Sequence, residues 1–210
     1  MDKATFDYYE QNADFCTQRW NAIERNTEAS RLLSAAFPVG GRILDVGCGS
    51  GRDLAVLRDA GFETFGVEPV ESFRTHLIER RPEFEPFVAE GSLPELNLPA
   101  LWPATFDGIV CSAVLMHLSS EELVVAMSRL REILAVRGRL LVSVPAERPG
   151  IVNGRDSAGR LFSGVRAREL EAIAVDAGLG RVDVWSDWAD LQGREGYSWD
   201  ALLLERSDET

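Results

Sequence analysis

Residues 42–53 read Arg-Ile-Leu-Asp-Val-Gly-Cys-Gly-Ser-Gly-Arg-Asp. The first five, Arg42–Val46, form a short apolar run interrupted by one acid, Asp45, which is the pattern of a buried strand. Glycine then stands at 47, 49 and 51, and removing every second Cβ lets the backbone turn tightly and approach a ligand closely. A helix follows, with Leu54 and Leu57 facing inward and Gly61 as its stop. Its first turn leaves amides free to face whatever the loop holds.

The same alternation extends outward from this unit. A helix is expected over 26–37, ended by Pro38 and Gly40–Gly41. After the loop come a strand at 64–67, a helix at 70–81 stopped by Pro82, and a short strand at 86–89. Residues 91–103 contain three prolines and read as a loop. A fourth strand is expected at Phe106–Cys111 and a helix from Glu121 to Val136, with Leu123, Met127, Leu130 and Leu134 on one face. Ser119 and Glu122 are spaced as a capping box. A fifth strand follows over Arg139–Val144, and a helix over 166–177 stops at Gly178. The last strand candidates, 181–188 and 197–205, are separated by too few residues for a crossover helix, so they pair antiparallel. The expected fold is a single-domain α/β protein: a doubly wound, mostly parallel seven-stranded sheet with a C-terminal antiparallel hairpin and helices on both faces. Residues 1–25 read as an N-terminal helical lid and 26–207 as the domain it covers.

Open parallel sheets bind ligands at the carboxyl ends of their strands, where the strand order reverses. A dinucleotide fingerprint, Gly-x-Gly-x-x-Gly, would need its third glycine at position 52, where Arg52 stands. A phosphate-binding P-loop would need Gly-Lys-Ser/Thr, which is absent. The run apolar-Asp-apolar-Gly-x-Gly-x-Gly instead resembles the first motif of the class I S-adenosylmethionine-dependent methyltransferases, including a bacterial group with Arg-Asp after the loop that contains tellurite-resistance-like members. The resemblance implies that S-adenosyl-L-methionine is the cofactor and S-adenosyl-L-homocysteine the product. It implies that Gly47, Cys48, Gly49, Ser50, Gly51 and Arg52 border the methionine part, with Asp45 orienting the loop. Glu68 closes the second strand 23 residues after Asp45, where the family places an acid on both ribose hydroxyls. Pro69 and Val70 would lie near the adenine. Ser92 and Leu93 would meet the adenine edge; Ser92 replaces the usual Asp, and Glu90 is a displaced alternative. The backbone at Cys111 and Ser112 would face the cofactor's amino-acid end.

His117 is the candidate catalytic base, because imidazole titrates near neutral pH; the alternative is that it packs beneath the cofactor or caps a helix. A base is required only when the acceptor is a hydroxyl, a protonated amine or an acidic carbon. The segment Thr5–Trp20 is rich in aromatic and hydrogen-bonding groups. In similar methyltransferases such a segment closes over the cofactor, which assigns Tyr9 and Arg19 to it and leaves Tyr8 and Trp20 for the substrate; an aromatic stripe that only docks a helix is the alternative. Arg148 and Arg155, with Arg160, stand in the long loop after the fifth strand and are candidates for an anionic substrate. Trp102, Trp185, Trp188 and Trp199 are candidates for an apolar pocket.

Composition narrows the acceptor. The chain has 210 residues and a net charge of −12, which disfavours a nucleic-acid partner, since such affinity comes largely from Lys and Arg on phosphates. No apolar run approaches the roughly 20 residues of a membrane span. The polar N-terminus lacks a signal-peptide core, so a cytoplasmic protein is expected. Three cysteines, Cys16, Cys48 and Cys111, and two histidines in no ligand spacing give no expectation of a metal, although a thiol pair could meet a soft metalloid acceptor. The reading is a methyltransferase acting on a small-molecule acceptor, as a monomer or homodimer. The alternatives are a methyltransferase acting on RNA or protein and a nicotinamide-dependent protein.

Overall fold

The structure, a computed structural model, describes residues 1–23 and 27–207. The boundary expected between residues 25 and 26 lies outside the described residues. In chain order the elements are α1 (Lys3–Gln11), α2 (Ala13–Asn21), α3 (Glu28–Ala35), β1 (Arg42–Val46), α4 (Arg52–Asp59), β2 (Glu63–Val67), α5 (Glu71–Arg80), β3 (Val88–Ala89), β4 (Phe106–Ser112), α6 (Ser120–Ile133), β5 (Leu134–Glu147), α7 (Ala167–Asp176), β6 (Leu179–Ala189) and β7 (Ser198–Arg206). Two 3₁₀ turns, Pro82–Phe87 and Leu115–His117, complete them.

The seven strands form one sheet in the order β3-β2-β1-β4-β5-β7-β6. β1 pairs in parallel with both β2 and β4, so the chain winds away from it in two directions. The switch point therefore falls at the carboxyl ends of β1 and β4, beside the glycine loop. β7 runs antiparallel to both β5 and β6, closing the sheet with the expected hairpin.

Strand periodicity explains why both faces carry a core. Leu44 and Val46 of β1 pack into the larger cluster, with Leu123, Met127 and Leu130 of α6 and Leu170 of α7. Ile43, pointing the other way, joins Leu33, Phe37 and Leu57 on the opposite face. β5 and β7 divide in the same manner: Leu140, Val142, Leu202 and Leu204 enter the first cluster, Leu141 and Leu203 the second. A sheet buried on both faces has to read as continuous apolar runs, as these strands do.

Several element ends differ from expectation for local reasons. α6 stops at Ile133 rather than Val136, because Leu134 already pairs with Phe106 in the sheet. β3 begins at Val88 rather than Pro86; Pro86 lacks an N–H and sits in the preceding 3₁₀ turn. The expected helix over 26–37 is α3, Glu28–Ala35. Thr27 caps it by accepting from Ser30 N at 3.1 Å. Arg129 pairs with Glu132 and Arg139 with Glu205, and Arg74 donates to the carbonyls of Glu68 and Pro69. No helix among the described residues is long and apolar enough to cross a membrane.

The capping box at the start of α6 is formed in both directions, Ser119 N to Glu122 Oε2 at 2.8 Å and Glu122 N to Ser119 Oγ at 3.2 Å. Ser119→Ala strands one of these donors, and urea unfolding should show a loss of about 1 kcal/mol.

Candidate active site

The glycine loop is held by the end of β2. Gly47 N and Cys48 N both donate to Val67 O, at 2.8 and 3.1 Å. One residue further on, the Glu68 carboxylate accepts from Gly49 N through Oε2 and from Val70 N through Oε1, both at 2.9 Å. The loop reaches these partners only by turning left-handed, with φ of +73° at Gly47 and +52° at Gly49. A side chain would be strained at either position and would also collide: a Cβ on Gly47 would meet Val114, and one on Gly49 would stand 2.9 Å from the Trp20 ring.

The loop forms one end of a cavity of about 390 Å³. Asp45, Gly47, Cys48, Gly49, Ser50, Arg52, Glu68, Pro69, Ser92, Leu93 and Ser112 all border it, as do Tyr8, Tyr9, Arg19, Trp20, His117 and Arg148. Residues named from segments far apart in the chain therefore meet on the wall of one cavity. Gly51 lies outside it, packed under Leu77. Cys111 is fully buried in the sheet core. Glu90 is turned outward toward Arg74, which leaves Ser92 as the residue on the cavity.

Arg155 requires a correction. It was expected to meet substrate, but its guanidinium is committed to Asp2 at 2.9 Å and to the Gly159 carbonyl at 2.6 Å, and it is not part of the cavity wall. Sequence spacing cannot reveal this, since Asp2 lies 153 residues away. Trp20, expected on the substrate, instead covers Gly49 and stacks against Phe73 at 5.0 Å between centroids. Of the four further tryptophans, Trp188 and Trp199 line the cavity; Trp102 packs on Phe65 and Trp185 on the second core cluster.

The N-terminal helices form a wall of the cavity and are docked by polar contacts. Leu161 N donates to Thr5 Oγ1 at 2.9 Å, and Ser72 Oγ donates to Glu10. Tyr9 enters the cavity beside His117, and the two are hydrogen-bonded at 3.0 Å. The other His117 nitrogen, Nδ1, lies 2.6 Å from the Leu161 carbonyl, which can only accept. Nδ1 therefore carries the proton, and Nε2 accepts from the Tyr9 hydroxyl. Arg160 donates to the same hydroxyl oxygen at 3.2 Å. The His117 lone pair is thus occupied by the Tyr9 hydroxyl, which stands beside it on the cavity wall. The Tyr9 partnership, across 108 residues, carries no signal in the sequence.

Electrostatics separates the cavity into two halves. At the loop, burial pushes the Asp45 carboxyl well above its ordinary value, reinforced by Asp53. Burial raises Glu68 to about 7 against the pull of its two amides. These carboxylates suit a ligand bearing cationic and hydroxyl donors: each Glu68 oxygen spends one lone pair on an amide and keeps another. Burial also pushes the Cys48 and Cys111 thiols up, which disfavours thiolate chemistry there. At the other end Arg148 and Arg160 share Asp156, and Arg194 pairs with Asp190. Asp156, Asp190 and Arg194 were not singled out in the sequence, because hairpin and loop charges give no hint of which face inward.

Burial holds His117 down to about 4. Between its ordinary value near 6.5 and 4, protonation favours the unfolded chain, so this group removes stability as pH falls through that window. Glu68, raised by burial, acts with the opposite sign between about 7 and its ordinary range. Comparing wild type with His117→Gln cancels the Glu68 contribution. The stability advantage of the wild type should shrink by about 3 kcal/mol between pH 7 and 4 in denaturant unfolding; a constant difference would contradict the buried neutral imidazole.

The comparisons with known proteins agree with this fold. Residues 19–184 match the family described as "Methyltransferase domain". An uncharacterised methyltransferase of Geobacillus sp. (strain WCH70) is 24% identical over 172 residues, which is 82% of this chain and 76% of that one. A protein-L-isoaspartate O-methyltransferase of Methylobacillus flagellatus is 34% identical over 130 residues, 60% of this chain and 51% of that one. In fold, the chain is similar to the Burkholderia thailandensis 1,6-didemethyltoxoflavin-N1-methyltransferase, solved with its 1,6-didemethyltoxoflavin and S-adenosylhomocysteine. The TM-score is 0.76 at 20% identity, over 98% of this chain and 88% of that one. With a glycine loop at the sheet's switch point, an acid closing β2 and a family match across most of its length, the chain belongs to the methyltransferase-domain family, the S-adenosylmethionine-dependent class with the Rossmann-like fold.

Proposed function

We propose that this enzyme methylates a small molecule, and that residues 1–23 act as a lid over the cavity in which the transfer takes place. The observation that carries this reading is the cavity itself: about 390 Å³, with the glycine loop at one end, aromatic and arginine side chains at the other, and α1 and α2 as a wall. Its size lies within the roughly 300–1,000 Å³ of small-molecule sites. A relative named for action on protein is similar over only 51% of its length, and the wall formed by α1 and α2 favours an acceptor small enough to be enclosed.

Glu68 would take the ribose hydroxyls, Asp45 and the loop backbone the methionine amine, Arg19 its carboxylate, and Pro69, Val70, Ser92 and Leu93 the adenine. Bound there, S-adenosylmethionine supplies a methyl group on an electrophilic sulfonium. The chain's own task is to align the accepting atom and keep water out, and alignment alone can supply much of the rate. Tyr9 would present its hydroxyl to the cavity beside His117. His117 is a positioning residue that fixes the direction of the Tyr9 O–H.

Ribose hydroxyls donate, so they bind the ionised form of Glu68. Since that carboxyl sits near 7 without ligand, cofactor binding must expel a proton at lower pH. Calorimetry should therefore show S-adenosylhomocysteine affinity falling below about pH 7, toward tenfold per unit, with proton release. Glu68→Gln should weaken binding and remove the part of the pH dependence centred near 7, leaving that of Asp45, and deletion of residues 1–20 should weaken binding without unfolding the domain. An affinity independent of both pH and Glu68 would overturn the assignment.

A further inference from the structure

The acceptor end of the cavity holds more positive charge than its own acids neutralise. Arg148 and Arg160 both line it, with side chains 9% and 17% exposed. Both guanidinium groups converge on a single oxygen, Asp156 Oδ2, at 3.1 Å from Arg148 and 2.6 Å from Arg160. The other oxygen of Asp156 is taken by the amides of Ala158 and Arg160. Arg194 lies on the same wall but is matched by Asp190, whose carboxylate also accepts from the Trp199 indole and from the amides of Gln192 and Arg194. Three guanidiniums therefore face two carboxylates, leaving one positive charge in a chain whose net charge is −12.

Arg148 is also under-satisfied. Its Nε is buried without a hydrogen-bond partner, although a buried guanidinium N–H left unpaired is costly. Its plane is fixed by stacking at 3.8 Å on the Phe162 ring, so its donors are pre-aimed around the ring edge. Burial lowers its proton affinity, consistent with a cation held short of partners. Arg160 is held in a similar way, 4.3 Å over the Tyr8 ring, and Trp188 and Trp199 face the same space.

We infer that Arg148 and Arg160 form a subsite for the carboxylate of an aromatic monocarboxylic acid, which is the methyl acceptor or its anchoring part. A monoanion matches one uncompensated charge, a planar carboxylate matches the planar fork of Arg148, and the aromatic walls match a flat ring. The inference rests on the small-molecule reading above. It leaves the methylated atom to whichever group of the acceptor reaches the loop end.

The test uses the full chain saturated with S-adenosylhomocysteine, with benzoate and benzamide titrated in and binding read by ligand-observed NMR. Benzoate should bind at least tenfold more tightly than benzamide. Arg148→Gln should abolish that preference while S-adenosylhomocysteine affinity, measured on the same sample, stays within twofold. Arg148→Lys, which keeps the charge and loses the fork, should retain part of the preference. No preference in the wild type, including no binding of either probe, or a full preference in Arg148→Gln, overturns the subsite. Failure to bind S-adenosylhomocysteine at all would instead overturn the reading on which it rests.

Discussion

The buried Glu68 carboxylate is the contact on which the site depends. It ties the end of β2 to two separate backbones, Gly49 in the loop after β1 and Val70 at the start of α5. Together with the Val67 carbonyl, which accepts from Gly47 and Cys48, it sets the loop in a conformation no free chain would prefer. An acid 5% exposed is costly to bury, and two amide donors only partly offset that cost. The remaining penalty shows as a carboxyl raised to about 7, a group held ready for further donors. Removing the acid would therefore disturb the loop, the start of α5 and the ligand site at once.

From this anchor the cavity divides by charge. Asp45 and Glu68 border it at the loop end, and Arg148, Arg160 and Arg194 border it from the loop after β5 and the β6–β7 hairpin. The N-terminal helices join the two halves. Trp20 of α2 lies on Gly49, while Tyr9 of α1 meets His117 and Arg160. A chain so acidic overall does not place buried arginines around a cavity by composition alone, so their position has to come from the fold. His117 illustrates the same dependence: its chemistry is decided by Leu161 and Tyr9, both remote in sequence.

Local signals made much of this legible. The loop Gly47–Gly51, the acid at position 68, the capping box at Ser119 and the terminal hairpin are all set by contacts within one strand–helix unit or one turn, and spacing reports such contacts. Strand alternation explains the rest of the sheet, since Ile43 and Leu44 must face opposite layers. What escaped depends on distant partners. Arg155 and Arg148 look alike in a loop, yet Asp2 captures one while Phe162 and Asp156 fix the other against the cavity. Trp20 and Tyr8 were equally ambiguous, because an aromatic stripe on a helix does not say which ring lies over the glycines.

We propose that Glu68 and the glycine loop form the cofactor end of the cavity and the arginine-lined space the acceptor end. A crystal structure of the full chain with S-adenosylhomocysteine tests it most directly. Both ribose hydroxyls are expected on the Glu68 carboxylate, the homocysteine backbone against Gly47–Gly49, and the sulfur turned toward the space bounded by Tyr9 and Arg148. A ribose held elsewhere, or a sulfur facing away from that space, would contradict it.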